Sequence, residues 1–203
     1  MMTANLRALA LPILAMAGVV VLSNFAVQYP IAAFGLQDYL TWGALTYPLA
    51  FLVNDLTNRR FGPGLTRRVI YIGFAIAVVL SIALATPRIA LASGAAFLFG
   101  QLLDIFVFSR LRRGAWWRAP LAGSLLGSAL DTVIFFSMAF AGDAAMSGPV
   151  DYAPFGIPVT VPLWTGLAFF DFVVKVTMAL LMLVPYGALM SRIRPLEAVR
   201  ARS

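Results

Sequence analysis

The hydrophobic positions of this chain fall into six long runs, each separated from the next by a short polar connection. A helix that crosses a bilayer needs about 20 mostly apolar residues, with a range near 17–25. The runs are Leu9–Val27, Leu40–Asn54, Val69–Ala85, Ile89–Phe108, Ala119–Ala141 and Val161–Val184. The second of these is too short to span a bilayer unless it continues through Asp55 to Thr57. The pattern predicts an all-α, polytopic membrane protein in which residues 1–203 form one domain of six transmembrane helices.

Composition supports a membrane protein and removes several kinds of chemistry. Apolar residues make up 62% of the chain and charged residues 11%, whereas soluble globular chains contain roughly 45–50% and 25%. The absence of histidine and cysteine excludes histidine-based catalysis, disulfides and the usual zinc ligands. Lys175 is the only lysine, and no phosphate-binding loop of the G-x-x-x-x-G-K-[ST] type occurs. We therefore expect a protein that is not an enzyme and has no catalytic residues, cofactor or metal.

The arginines determine the expected orientation in the membrane. Thirteen of them lie before the first run, after the sixth, or in the connections between runs two and three and runs four and five. The opposite connections hold only Arg88, together with Asp38, Asp143 and Asp151. Because basic residues concentrate on the cytoplasmic side, we expect a bacterial inner-membrane protein with both termini in the cytoplasm. The net charge of +7 then faces the anionic inner leaflet of the lipid bilayer and requires no nucleic-acid partner.

Five charged residues lie inside the apolar runs or at their ends, where a charge costs about 2.5–3.5 kcal/mol at the centre of a helix. They are Asp55, Asp104, Asp131, Asp171 and Lys175. At about 1.5 Å per residue, Asp131 and Asp171 fall near the middle of the bilayer, and the other three fall toward the cytoplasmic side. We therefore expect a hydrated cavity that faces inward and solvates these groups.

Asp171 and Lys175 are four residues apart and share a helix face. One interpretation is a neutralised pair that allows the sixth run to insert. The other is that Lys175 reaches Asp104 or Asp131, and that substrate or a proton rearranges the pairing. Three carboxylates cannot all stay ionised at low cost against one lysine, so at least one of them is a candidate proton carrier.

Other polar and small residues give weaker signals. Asp55 and Arg59 have the spacing of a salt bridge at a helix end. Asn24 and Gln28 share one face of the first run, where they form either an interhelical bond or a ligand contact. Pro48 predicts a kink in the second run. The residues spaced for close helix packing are Ala92, Ala96, Gly100, Gly123 and Gly127.

Short motifs follow one another in a characteristic order along nearly the whole chain. They include Ser23-Asn24, Val27-Gln28, Phe34-Gly35, Thr41-Trp42-Gly43-Ala44, Pro48, Asp55-Leu56-Thr57, Arg67-Arg68, Gly100-Gln101-Leu102-Leu103-Asp104, Trp116-Trp117, Asp131-Thr132, Lys175-Val176 and Pro185-Tyr186-Gly187. With this order and topology the chain resembles the bacterial queuosine precursor transporter family, also called the vitamin uptake transporter-like family. The resemblance implies import of 7-cyano-7-deazaguanine, 7-aminomethyl-7-deazaguanine or a related base across the inner membrane, for tRNA modification.

Polar residues of the runs suit the ligand that the resemblance implies. A carboxylate of Asp104 or Asp131 can accept two adjacent N–H groups of a 7-deazaguanine, while Gln101 or Asn24 meets its ring carbonyl. A flat base also stacks on aromatic rings, for which the candidates are Trp42, Tyr47, Phe97 and Phe135. The full set of candidate substrate-binding residues is Asn24, Gln28, Trp42, Tyr47, Gln101, Asp104, Asp131, Asp171 and Lys175.

Three functions are compatible with these patterns. The first is a secondary transporter that works by alternating access, with substrate near the midplane and a proton as the candidate coupling ion. The second is a substrate-binding membrane subunit energised by separate ATPases, which would also lack a phosphate-binding loop. The third and most remote is an intramembrane aspartyl protease, since such enzymes use two acids, but the G-x-G-D motif is missing. A homo-oligomer is also compatible with the pattern.

Overall fold

A computed structural model describes residues 2–32, 41–152 and 158–193 of the chain, with side chains from residue 8 onward. In this part of the chain, seven α-helices are joined by short connections, one of which contains a two-stranded sheet. The helices are α1 (Met2–Ala26), α2 (Trp42–Thr46), α3 (Leu49–Phe61), α4 (Pro63–Leu84), α5 (Pro87–Leu111), α6 (Arg118–Phe140) and α7 (Leu163–Met190). The strands are β1 (Pro149–Tyr152) and β2 (Val159–Pro162).

Within the described ranges, five helices are long and apolar enough to cross a membrane, namely α1, α4, α5, α6 and α7. They coincide with the first, third, fourth, fifth and sixth predicted runs. Several continue beyond the predicted limits, because a helix does not end where its apolar sequence ends. For example, α4 begins at Pro63 rather than Val69, and α7 ends at Met190 rather than Val184.

The predicted second span is not one continuous helix. Leu40 lies outside the described residues, and the rest of the run forms α2 and α3 on either side of Tyr47 and Pro48. Proline donates no N–H, and its ring clashes with the carbonyl four residues earlier, so the helix breaks there. The kink predicted at Pro48 is confirmed. The prediction of a single helix over this run is corrected to a broken pair of short helices.

A short hairpin precedes α7 and departs from a purely helical fold. β1 and β2 pair antiparallel, with Asp151 opposite Thr160, and the Thr160 hydroxyl donates to Asp151 at 2.6 Å. Tyr152 lies so close to Gly166 that any side chain at position 166 would collide with the Tyr152 ring. The hairpin is thereby fixed against the first turn of α7. Each strand has only four residues, so the hairpin left no recognisable signal between the fifth and sixth apolar runs.

The tightest helix contact joins α5 to α6, where glycines allow the backbones to approach. A Cβ added to Gly127 would lie 2.8 Å from the Gly100 carbonyl oxygen and 2.7 Å from the Phe51 ring. One added to Gly123 would overlap the Asp104 carboxylate. Small residues permit close approach of helices where lipid supplies no hydrophobic driving force. The close packing predicted from the spacing of these glycines is confirmed.

One end of the helix bundle carries the two described arginine-rich connections. At this end, Arg59 donates from Nε to the carbonyls of Met190 and Ile193, at 3.2 and 3.3 Å, and Trp116 packs on Gly187. The end of α3, the connection from α5 to α6 and the end of α7 therefore lie together. We call this the arginine-rich end.

The ion pair expected between Asp55 and Arg59 does not form between these two described residues. Arg59 instead donates to the carbonyls of Met190 and Ile193, at and just beyond the end of α7. The guanidinium gains two acceptors there that would otherwise be left at a helix C-terminus. That prediction from the i, i+4 spacing was wrong.

Candidate functional site

A partly open cavity of about 430 Å³ lies in the half of the bundle away from the arginine-rich end. It is bounded by the last turns of α1, α4 and α6, the first turns of α5, the first half of α7, and α2. Its polar lining consists of Ser23, Asn24, Gln28, Thr41, Tyr47, Ser81, Ser93, Asp131, Asp171 and Lys175. Its aromatic lining consists of Tyr47, Phe97, Phe135, Phe136 and Phe140. The cavity has the size and mixed lining of a site for a small organic molecule.

The position of this cavity corrects one expectation. A cavity facing the arginine-rich, cytoplasmic side was predicted from the depths of Asp55, Asp104 and Lys175 along their helices. In the structure Lys175 faces the cavity on the opposite half, while Asp55 and Asp104 are buried outside it. Depth along a helix does not determine the direction in which a side chain points.

Three charged side chains from two helices form the floor of the cavity. The Lys175 ammonium lies 2.7 Å from Asp131 and 2.6 Å from Asp171, and it also donates to Thr132 at 3.0 Å. Lys175 thus pairs with both acids, which combines the i, i+4 interpretation with the cross-helix one. Asp104, the other predicted partner, is not part of this group. We call Asp131, Asp171 and Lys175 the charged triad; with all three ionised, its net charge is −1.

The two acids of the charged triad differ in accessibility. The Asp131 side chain is 6% exposed, and its two oxygens accept from Tyr47 at 2.8 Å and from Lys175. The Asp171 side chain is 20% exposed and accepts from the Thr132 hydroxyl at 2.8 Å. Asp131 is therefore held by its neighbours, and Asp171 is the acid that a molecule in the cavity can reach.

Tyr47 lies at the break between α2 and α3 and lines the cavity. Its hydroxyl donates to Asp131, and its ring lies 5.7 Å from the Lys175 ammonium, within the range of a cation–π contact. The ring also packs edge-on against Phe97 at a centroid distance of 6.3 Å. Tyr47 thus connects the charged triad to an aromatic wall of the cavity.

Asn24 and Gln28 lie on the α1 side of the cavity. Asn24 donates to the Val20 carbonyl at 2.9 Å and accepts from the Ser81 hydroxyl of α4 at 3.3 Å. Gln28 donates to the Asn24 carbonyl at 3.4 Å. The interhelical bond predicted as one alternative is confirmed for Asn24; the other alternative, a ligand contact, stays a prediction, and Asn24 lines the cavity. Ser81 was missed, because a single serine in an apolar helix carries no distinctive signal.

Three of the predicted site residues lie outside the cavity. Trp42 is 51% exposed and does not line it. Gln101 and Asp104 are fully buried between helices, where Asn54 donates to the Asp104 carboxylate at 2.6 Å. Asn54 was also missed as a functional candidate, although its position beside Asp55 in an apolar run was a usable signal. We call Asn54, Asp55, Gln101 and Asp104 the buried carboxylate cluster.

The fold is that of a multi-pass helical membrane protein, and it contains a cavity with charged, polar and aromatic side chains in its lining. A sequence profile of the family described as "Putative vitamin uptake transporter" matches residues 41–86 and 80–189. The chain belongs to this family, which confirms the resemblance found in its sequence, and it is a multi-pass protein of the bacterial inner membrane.

Curated relatives carry a more specific name. The chain is 34% identical to the queuosine precursor transporter of Escherichia coli over 197 residues, which cover 85% of this chain and 82% of the relative. It is 32% identical to a protein of Haemophilus influenzae named "Probable queuosine precursor transporter" over 205 residues, with the same coverage. A Bacillus subtilis protein of that name is 29% identical over 150 residues, or 60% of this chain and 65% of the relative. No solved structure shows a significant match.

Proposed function

We propose that the chain is a secondary transporter that imports a queuosine precursor, 7-cyano-7-deazaguanine or 7-aminomethyl-7-deazaguanine, across the inner membrane. In this proposal six segments cross the bilayer, the second being the broken pair α2 and α3, and both termini are cytoplasmic. The cavity then faces the periplasmic side, as required for a state that accepts substrate from outside. The names of the relatives support the substrate class.

The accessible carboxylate of Asp171 is the observation on which the substrate assignment depends. A 7-deazaguanine presents two adjacent N–H groups on one edge, and a carboxylate accepts such a pair with parallel hydrogen bonds. Asp171 is the acid of the charged triad that faces the cavity with 20% of its side chain exposed. Lys175 and Thr132 hold Asp171 in place, and Asp131 and Lys175 do not contact the base edge themselves in this proposal.

Aromatic side chains around the charged triad supply the surface that a flat base requires. Tyr47, Phe97 and Phe135 line the cavity, and stacking on an aromatic ring contributes roughly 1–3 kcal/mol per base. The amides of Asn24 and Gln28 are placed to meet polar atoms at the α1 side of the ligand. Trp42, Gln101 and Asp104 have no contact with the substrate in this proposal.

The net charge of the charged triad favours a cationic substrate over a neutral one. The aminomethyl group of 7-aminomethyl-7-deazaguanine is protonated at neutral pH, while the nitrile of 7-cyano-7-deazaguanine is uncharged. A site with a net charge of −1 attracts the first and is indifferent to the charge of the second. We therefore propose that both bases bind, the amine with an additional electrostatic contribution.

Reconstitution of the purified chain alone in liposomes tests the proposed function. We expect uptake of radiolabelled 7-cyano-7-deazaguanine without any added ATPase, and at least tenfold lower uptake in Asp171→Asn. Asp151→Asn, which changes an exposed carboxylate outside the cavity, serves as the matched control and should transport normally. Uptake that required a separate ATPase would favour the alternative of a substrate-binding subunit, and uptake unaffected by Asp171→Asn would contradict the proposed site.

A further inference from the structure

The buried carboxylate cluster lies between α3 and α5, against the glycine face of α6, and takes no part in the substrate site. Each of its four side chains belongs to a residue that is at most 2% exposed. Asn54 donates to Asp104 at 2.6 Å and to the Gln101 carbonyl at 3.1 Å. Asp55 lies near enough to Asp104 for the two carboxylates to repel one another.

Several polar atoms of the buried carboxylate cluster have no hydrogen-bond partner. They include one oxygen from each member, Asn54 Oδ1, Asp55 Oδ1, Gln101 Oε1 and Asp104 Oδ1. The Nε2 atom of Gln101 is also without a partner, and Asn54 contacts both Gln101 and Asp104 through its Nδ2 atom. Buried polar atoms in native proteins almost always have a partner, so this many unpaired atoms on four neighbouring residues indicate that the cluster binds something that the protein itself does not supply.

No basic side chain of the described residues forms an ion pair with Asp55 or Asp104. The facing part of α6 contributes Gly123 and Gly127, and α7 contributes the Tyr186 hydroxyl near Asp55. Arg59 also interacts with Tyr186, but its Nε atom donates to the α7 carbonyls. Two buried carboxylates without a paired cation are costly. A small cation between them would reduce this cost.

The α5–α6 contact connects the cluster directly to the charged triad. Asp104 packs on Gly123 and Gly127 of α6, and one turn farther along the same contact Asp131 packs on Gly100 of α5. The glycines leave no flexible side chain between the two sites. A change in the charge or position of Asp104 would therefore act on the same helix contact that positions Asp131.

We propose that Asn54, Asp55, Gln101 and Asp104 form the binding site of a coupling cation, a proton or Na⁺, separate from the substrate cavity. A proton bound to one carboxylate would donate to a neighbouring oxygen, and Na⁺ would be coordinated by several of the free oxygens. In either case the cation enters the cluster from one side of the membrane and leaves on the other as α5 and α6 move together. The inference rests on the proposed transport function.

The test uses proteoliposomes containing the full chain and radiolabelled 7-cyano-7-deazaguanine. Accumulation is measured under an inward proton gradient or an inward Na⁺ gradient, and exchange of labelled for unlabelled base is measured without either gradient. We expect one of the two gradients to raise accumulation at least fivefold, and the effective gradient identifies the cation. In Asp104→Asn this stimulation should disappear while exchange stays within threefold of the wild-type rate.

A second variant keeps the test decisive if Asp104→Asn does not fold. Gln101→Leu removes one free oxygen with little change in volume or charge, and it should shift the cation concentration or pH of half-maximal stimulation at least threefold. Asp151→Asn, the matched exposed carboxylate, should shift neither. Stimulation by neither gradient, or full stimulation in both Asp104→Asn and Gln101→Leu, would overturn the cation site. Exchange of base without stimulation by either gradient would contradict the cation site but remain consistent with the proposed substrate transport. Absence of any exchange in the wild type would contradict the cation site and the proposed substrate transport together.

Discussion

Lys175 of α7 and Asp131 of α6 form a 2.7 Å ion pair with side chains only 5% and 6% exposed, and the same ammonium contacts Asp171 one turn earlier on α7. A single lysine thus joins two helices at the floor of the cavity. Because one ammonium serves two carboxylates, its loss leaves two negative charges close together in a region shielded from water. We therefore expect the stability of the protein to depend on this arrangement, as substrate recognition does in the proposed function.

Replacing Lys175 with Met should destabilise the protein strongly. Removing one partner of a buried ion pair typically costs about 3–5 kcal/mol, because the other charge stays buried without compensation. We expect a marked fall in the temperature of unfolding in detergent, with partial recovery in the double variant Asp131→Asn/Lys175→Met. Equal unfolding temperatures for Lys175→Met and the wild type would show that the charged triad contributes little to the free energy of unfolding.

Asp171→Asn should discriminate between the two candidate substrates. Both lose a charge-assisted hydrogen bond, but only the cationic aminomethyl base also loses the attraction of a net negative site. At an effective dielectric constant near 20, a charge about 6 Å away contributes on the order of 2–3 kcal/mol before screening. Competition assays should therefore show a fall in affinity at least fivefold greater for the amine than for the nitrile. An equal fall for both bases would argue against an electrostatic preference.

Tyr47→Phe should separate the hydroxyl of this residue from its ring. The variant keeps the aromatic surface but leaves Asp131 Oδ1 without its donor, a loss of about 1 kcal/mol for a typical hydrogen bond. We expect this loss to appear as a lower temperature of unfolding, while the affinity for labelled base, measured by binding to the purified protein, changes little. Tyr47→Ala removes the ring as well and should reduce that affinity, because stacking contributes roughly 1–3 kcal/mol per base. If both variants bound equally well, the ring would have no role in stacking.

Gly123→Ala should disrupt the contact between α5 and α6. A methyl group at this position would overlap the Asp104 carboxylate, and forcing extra volume into a packed interior costs typically about 1–3 kcal/mol. Gly18→Ala is the matched control, since a Cβ at Gly18 meets nothing within 4 Å. Thermal unfolding in detergent should show a loss for Gly123→Ala and none for Gly18→Ala. A stable Gly123→Ala variant would indicate that Asp104 can move away.

Much of the fold could be predicted from the sequence, because an apolar run of about 20 residues is itself typical of a transmembrane helix. The helices α5 and α6 begin and end within a few residues of the predicted runs Ile89–Phe108 and Ala119–Ala141. The break at Pro48 was also predictable, since proline removes a helix hydrogen bond and clashes with the preceding turn, although α1 and α7 continue through Pro12 and Pro185. The existence of charged residues that need solvation or pairing was equally visible, as charge in hydrocarbon is costly in any fold.

Assignment of those charged residues to sites was not predictable in the same way. Asp104 and Asp131 were equivalent candidates in the sequence, since each is an acid without a charged partner on its own helix. Only the rotation of α5 against α6 buries Asp104 against Gly123 and directs Asp131 toward Lys175. The expected ion pair of Asp55 with Arg59 failed for the same reason, because carbonyls of α7 compete for the guanidinium.

By itself, the sequence determined that this chain is a helical membrane protein, which connections carry its arginines, and which family it belongs to. These properties depend on local composition and on the order of residues along one chain. The tertiary structure decided which half of the bundle contains the cavity and which acids share Lys175. Both depend on how the helices rotate and approach one another, and that is determined by packing between residues distant in sequence, such as Gly100 and Asp131.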